Sequence, residues 1–134
     1  MIKPSELRIG NYYESTKWGT IVKCEASDIV QIYHNADGAE VDSDHIAMVF
    51  KPIYINKERL FTINGFSESK FIEDAGEMVV NKILRFVVYE HMGTWNLYTP
   101  YWVNGVTLHA IIDVKLHQLQ NLYFILTGEE ITIK

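Results

Sequence analysis

The sequence predicts an α+β protein: a small antiparallel β-barrel at the N-terminus, a short connecting helix, then an antiparallel β-meander covered by a C-terminal helix. Three observations carry this expectation. Short runs of strand-forming residues are split by Gly, Asn and Asp along much of the chain. Asp37-Gly38 and Asn104-Gly105 stand between such runs, and both pairs tolerate the positive φ of a tight hairpin. The clearest helical spacing lies near the C-terminus, where Leu116, Leu119, Leu122, Tyr123 and Leu126 share one apolar stripe at about 100° per residue.

In chain order, Pro4–Leu7 reads as a single helical turn opened by Lys3 and Pro4. Strands are expected at Asn11–Glu14, Gly19–Cys24, Ile29–His34 and Ala39–Val41, with turns at Ser15–Lys17, Glu25–Asp28 and Asn35–Gly38. Ile9–Tyr13 followed by Trp18–Val22 resembles the first hairpin of SH3-like barrels, so residues 1–50 are read as a barrel-like subdomain. Residues 51–66 form the connecting segment. There Asn56 is placed to cap a helix over Lys57–Asn64, with Leu60, Phe61 and Ile63 as its apolar contacts and Gly65 as its end.

Residues 67–134 hold the meander and the last helix, and the whole is expected to be one compact unit. Its strands are expected at Lys70–Glu73, Glu77–Val80, Leu84–Glu90, Trp95–Tyr101 and Val106–Ile112, with tight turns at Gly93 and Asn104-Gly105. Asp113 is placed to cap the helix and Gly128 to close it in the left-handed region. Glu130–Lys134 alternates as a short strand does.

The bulk numbers exclude more than they assign. With 134 residues, 48% hydrophobic and 22% charged, the chain has the composition of a folded soluble domain. A net charge of −5 disfavours a protein whose main work is gripping phosphate backbones. Cys24 stands alone, which fits a reducing compartment. Met1–Arg8 is charged early without an apolar core, so no secretory signal is expected. No uncharged run approaches the roughly 18 residues of a spanning helix. A cytoplasmic location, without a membrane partner, follows as the expectation.

The run His117–Ile131, of the form HQLQNLYFILTGEEI, resembles the C-terminal signature of a family of small uncharacterised proteins found in gut-dwelling bacteria and in their phages and mobile elements. Leu7–Tyr12, Lys51–Leu60 and Gly65-Phe66 are similar to that family too, whereas Met78–Ile112 departs from it by a longer, more aromatic strand region. The resemblance implies no reaction, ligand or catalytic residue.

The chemistry-bearing residues divide into four groups. Trp95, Tyr98, Tyr101 and Trp102 crowd one hairpin, and exposed aromatics on a sheet anchor protein interfaces. His117, Asn121 and Phe124 form a second face of the last helix, for which internal packing outweighs partner contact. Arg8, Tyr12, Tyr13, Lys17, Trp18 and Lys23, with Lys3 nearby, combine cations and aromatics as a nucleic-acid surface would. His34, Asp42, Asp44 and His45 contain metal-ligand and acid–base chemistry, but Asp-Ser-Asp after a strand is also an ordinary capped turn, and no further ligands have matching spacing. His109, Asp113 and His117 are spaced by fours but straddle an expected strand–helix boundary. There is no nucleophile elbow, phosphate-binding glycine loop or paired-cysteine knuckle, and Cys24 lacks a neighbouring base. The reading is a non-enzymatic binding or assembly module, with no cofactor and no metal, acting on protein through an aromatic sheet face or a strand edge. Nucleic-acid binding by the N-terminal part is the alternative, and an enzyme built on the His34/Asp42/Asp44/His45 cluster the second.

Overall fold

The computed structural model describes residues 1–63, 66–72, 76–81, 87–98, 102–103, 106–107, 110–131 and 133, with 66–72, 76–81, 87, 89, 91, 98, 102–103, 106–107 and 110 described by their backbone. The chain divides into two units, one formed by Met1–Ile53 with Lys115–Glu130, the other by Tyr54–Val114 with Ile131–Lys134. The C-terminal helix is thus part of the N-terminal unit, a grouping that differs from the sequence-based division at residues 50 and 66.

The first unit begins with the expected turn, a 3-10 helix over Pro4–Glu6. Strands β1 (Tyr12–Ser15) and β2 (Ile21–Lys23) form an antiparallel hairpin that sets Tyr13 opposite Val22. β3 (Phe50–Lys51) pairs with the other edge of β1, giving an open three-stranded antiparallel sheet in the order β2-β1-β3. Between β2 and β3 come two helices, α1 (Ala26–Ala36) and α2 (Ser43–Ala47). The C-terminal helix α4 (Leu116–Thr127) packs on β1 and on the 3-10 turn.

No barrel closes here, and the reason lies in α1. Ile29–His34 is rich in β-branched and aromatic residues and reads as a strand, yet it is helical. The apolar residues Ile29, Ile32 and Ala36 recur at helical offsets, and Ile32 and Ala36 are buried. At the start of α1 the Asp28 carboxylate accepts the Glu25 N–H at 2.8 Å. At its end Asp37 (φ 49°) and Gly38 (φ 85°) are both left-handed. The Asp-Gly pair therefore does supply positive φ, but it terminates a helix and does not turn a hairpin. Ala39–Val41, expected as the returning strand, has no strand to return to.

Tyr13, Ile32, Ile46 and Phe50, with Ile2 and Cys24, form the buried core of this unit, ringed by Leu7, Val22, Ile29, Val41 and Val49. Tyr13 stacks on Phe50 with ring centroids 4.9 Å apart. Burial pushes the Cys24 thiol up to about 11, with the carboxylates of Asp28 and Glu25 adding to it, so this cysteine is packing and not a nucleophile at neutral pH.

The apolar stripe of α4 holds in part. Leu116, Leu119 and Tyr123 are buried, but Leu122 is half-buried and Leu126 is 44% exposed. His117 and Gln120 are buried in their stead. The helix also starts later than expected: its cap is Lys115, while Asp113 (φ 52°) lies outside it and donates its N–H to Asn96 Oδ1 at 2.8 Å. Gly128 (φ 72°) ends it as expected, donating to the carbonyl of Phe124.

In the second unit, α3 (Lys57–Thr62) is capped by Asn56, whose side chain accepts the Arg59 N–H at 2.8 Å. The expected terminator Gly65 lies outside the described residues. Then come β4 (Phe66–Ile72), β5 (Gly76–Asn81), β6 (Val87–His91), β7 (Thr94–Tyr98), β8 (Trp102–Val103), β9 (Val106–Thr107) and β10 (Ala110–Ile111). Five of them make an antiparallel sheet in the order β10-β7-β6-β5-β4, and β8 pairs with β9. This is the expected meander with a hairpin inserted before its last strand. Met92 (φ 53°) and Gly93 (φ 82°) form the two-residue turn of the β6–β7 hairpin, the positive-φ geometry that matches strand twist. The Asn104-Gly105 pair lies outside the described residues, between β8 and β9. Ile133 makes an isolated bridge to Ile63 where a short strand was expected. Among the described residues no helix is long and apolar enough to cross a membrane.

Candidate functional site

The first unit holds two concentrations of polar and aromatic side chains, one closed and one open. The closed one begins with a backbone problem. β3 pairs only with Glu14 and Ser15, which leaves the Tyr12 N–H without a strand partner. Gln120 of α4 supplies it, accepting that N–H through Oε1 at 2.8 Å. A glutamine on the buried side of the helix is what the unpaired end of β1 requires.

Around this bond the helix, β1 and the 3-10 turn share one network. Asn121 Oδ1 accepts from Arg8 Nε at 3.0 Å and from Asn11 Nδ2 at 2.7 Å, and Asn121 Nδ2 donates to the carbonyl of Glu6 at 3.0 Å. Arg8 Nη2 donates to Asn11 Oδ1 and to Glu130 Oε2, and Arg8 Nη1 pairs with Glu130 Oε1. The guanidinium also lies over the Phe124 ring, 4.5 Å from its centroid. Hydrogen bonding from Arg8 holds the Glu130 carboxyl below its usual range. The Tyr13 hydroxyl accepts from Asn11 Nδ2 and donates to the Glu6 carbonyl, while burial pushes it up to about 12. Gln118 Nε2 donates to Glu6 Oε2 at 2.8 Å.

His117 is the exception inside this network. It is 1% exposed, and neither ring nitrogen has a hydrogen-bond partner among the described residues. Nε2 stands 3.6 Å from Glu6 Oε2, beyond hydrogen-bonding distance, and the ring lies 5.2 Å from that of Tyr13. Burial lowers the imidazole pKa, against the opposing charge of Glu6.

The open concentration is a groove of about 700 Å³ on the sheet face of the same unit. Its lining includes the buried or half-buried Ser15, Val22, Val49 and Phe50. One wall is the β1–β2 hairpin, with Lys17, Trp18 and Lys23; the other is α1, with Asp28, Gln31 and Asn35 at offsets of three and four. Trp18 is 70% exposed and carries Lys17 Nζ 4.9 Å from its ring centroid. The hairpin tip is fixed: Gly19 N–H donates to the Ser15 carbonyl, Trp18 N–H to Ser15 Oγ, and Thr16 N–H to the Val49 carbonyl. The exposed indole therefore stands on a tethered turn.

The sequence-derived candidates distribute unevenly over these two places. Of the nucleic-acid set, Lys17, Trp18 and Lys23 line the groove, Tyr13 is fully buried, Arg8 is committed to the network and Tyr12 is half-buried beside Gln120. His117 and Asn121 face inward, the packing alternative weighed above. In the second unit Trp95 is half-buried. Tyr98 and Trp102 are described by their backbone, in β7 and β8, and Tyr101 and His109 lie outside the described residues. Asp42 caps α2 by accepting the His45 N–H at 3.0 Å, and His45 Nδ1 accepts the Asp42 N–H, a reciprocal capping pair. Asp44 is exposed in the first turn of α2, and His34 is exposed near the end of α1. Among the described residues no three His, Cys, Asp or Glu side chains are grouped to hold a metal.

Sequence reasoning missed Glu25, Asp28, Gln31 and Asn35, because their helix was read as turn and strand. The helical offsets of Asp28, Gln31 and Asn35, interleaved with those of Ile29, Ile32 and Ala36, were the available signal. Set against protein-family models, curated proteins and solved structures, the chain matches none.

Proposed function

We propose that this protein is a non-enzymatic binding module that grips another protein through the groove beside Trp18. The carrying observation is the exposed indole on a tethered hairpin, in the lining of a groove that also holds Val22, Val49 and Phe50. Large exposed aromatics beside a concave surface are the usual anchors of protein interfaces. Two of the segments that carry the family resemblance, Leu7–Tyr12 and His117–Ile131, contribute none of the groove lining. They build the network instead, so the likeness bears on how this unit is held and leaves the partner open.

A second reading keeps the same groove. Lys17 over the Trp18 ring, with Lys23 further along the lining, supplies the cations and stacking surface that single-stranded nucleic acid uses. Glu25 and Asp28 line the groove as well, and with the chain's charge of −5 they oppose a phosphate backbone. Affinity capture from native cells with the wild-type chain and Trp18→Ala separates the two. A polypeptide retained by wild type, lost with the variant and insensitive to nuclease supports the proposal. Retention of nucleic acid that falls steeply with salt, without a protein partner, overturns it.

A further inference from the structure

The groove lining is electrically balanced but not uniform. It contains two lysines and two carboxylates, Lys17 and Lys23 against Glu25 and Asp28. β2 carries the chain from the turn that holds Lys17 and Trp18 to the start of α1, where Glu25 and Asp28 sit. One cation and the indole thus lie toward the hairpin tip, and both carboxylates lie toward the opening turn of the helix, where Lys23 ends β2 beside them and offsets one of their charges. Along the helix wall, Gln31 and Asn35 add two amides joined by a 2.8 Å hydrogen bond, Gln31 Nε2 donating. Such a lining repels a uniform polyanion at one end and a uniform polycation at the other. Side-chain amides pair with peptide N–H and C=O groups alike.

Resting on the protein-binding reading, we infer that the groove takes a short extended polypeptide segment with opposite charges at its two ends. An aromatic or long apolar side chain of that segment lies on Trp18 with an acidic residue beside it for Lys17. A basic residue further along meets Glu25 and Asp28. Charge complementarity sets the direction in which the segment lies, because the reversed orientation places like charges together at both ends.

Panning a random dodecapeptide display library on the full chain, with Trp18→Ala as the counter-selection, tests this. The expected product is a consensus with an aromatic or Leu/Met residue next to Asp or Glu, and a Lys or Arg several positions away. A synthetic consensus peptide should then bind Lys17→Glu at least about fivefold more weakly than wild type, and exchanging its acidic residue for Lys should recover the loss. An enriched consensus without this charge pattern, or a Lys17→Glu loss that the exchanged peptide does not recover, overturns the inference and leaves the protein-binding reading standing. No enrichment over the Trp18→Ala control also overturns it, and the capture experiment then judges the broader reading alone. Salt-sensitive retention of a 20-mer oligothymidine, with no enriched peptide, overturns both.

Discussion

Two places in one unit use nearly the same residue types to opposite ends. The network joining α4 to β1 contains an arginine, two carboxylates, four side-chain amides and two aromatic rings, and almost every polar atom in it has a protein partner. The groove beside α1 contains lysines, carboxylates, amides and an indole, and those groups border an opening. Composition does not separate the two; partner count does. Arg8 looks like a phosphate ligand in the sequence and is a structural cross-link in the fold. Trp18 looks like a stacking surface in the sequence and stands in solvent. A buried polar group that lacks its partner costs about 1–3 kcal/mol, a cost that the network avoids at its amides and carboxylates and bears at His117. The exposed groove side chains carry no such obligation, although Asp28 also caps α1.

That contrast is most sharply broken at Asn121. Asn121→Ala removes the acceptor of Arg8 and Asn11 and the donor to the Glu6 carbonyl, and should cost about 2–3 kcal/mol in urea unfolding. Asn11→Ala should cost a similar amount. The double variant should lose clearly less than the two single losses added together, by about 1 kcal/mol or more, since the two side chains are direct partners. Strictly additive losses would show that the network is a set of independent contacts.

The network also marks what the sequence could disclose. α4, its end at Gly128, the Asn56 cap and the meander were legible because they depend on local spacing and local turn chemistry. The burial of Gln120 and His117 was not, because it answers to a free N–H on β1 more than a hundred residues away. Asp113 had the right chemistry for a cap and was displaced by a backbone that turns left-handed there. α1 was lost for a different reason. Its residues have high strand propensity, and the Asp-Gly pair after them signals positive φ without saying whether a strand or a helix ends there. Losing that helix hid one whole wall of the groove. Trp18, Lys17 and Lys23 were legible as one cation–aromatic set, but the helix wall that makes a groove of it was not.

His117 gives the next largest effect. Its folded pKa lies below the ordinary 6.5, chiefly through burial. The unfolded chain therefore binds more protons than the folded one as pH drops below 6.5, and stability present above that value is lost toward acid. Glu6 opposes the shift from the 3-10 turn; Lys115 and the chain's amino terminus reinforce it. Glu6 and Glu130 lose stability in the same direction but below their ordinary 4.5, a separate window. The urea midpoint should therefore fall between pH 7 and pH 5 in the wild type and change less in His117→Gln. Equal slopes in the two proteins would mean that the imidazole carries no such penalty.

The smallest stability effect is expected on the other side of the comparison, and it is as informative as the largest. Trp18→Ala and Lys17→Glu change exposed side chains of the groove lining and leave the bonds that fix the turn, Gly19 and Thr16 N–H to backbone carbonyls, in place. Each should move unfolding stability by no more than about 0.5 kcal/mol. The same substitutions should remove or weaken retention of the captured protein. Stability kept with binding lost is the signature of a site; stability lost with binding kept would make the hairpin tip a second closed network. The indole has little to lose in the free protein, since most of its surface is already in water. Whatever partner covers it gains the hydrophobic burial that the fold itself leaves unused.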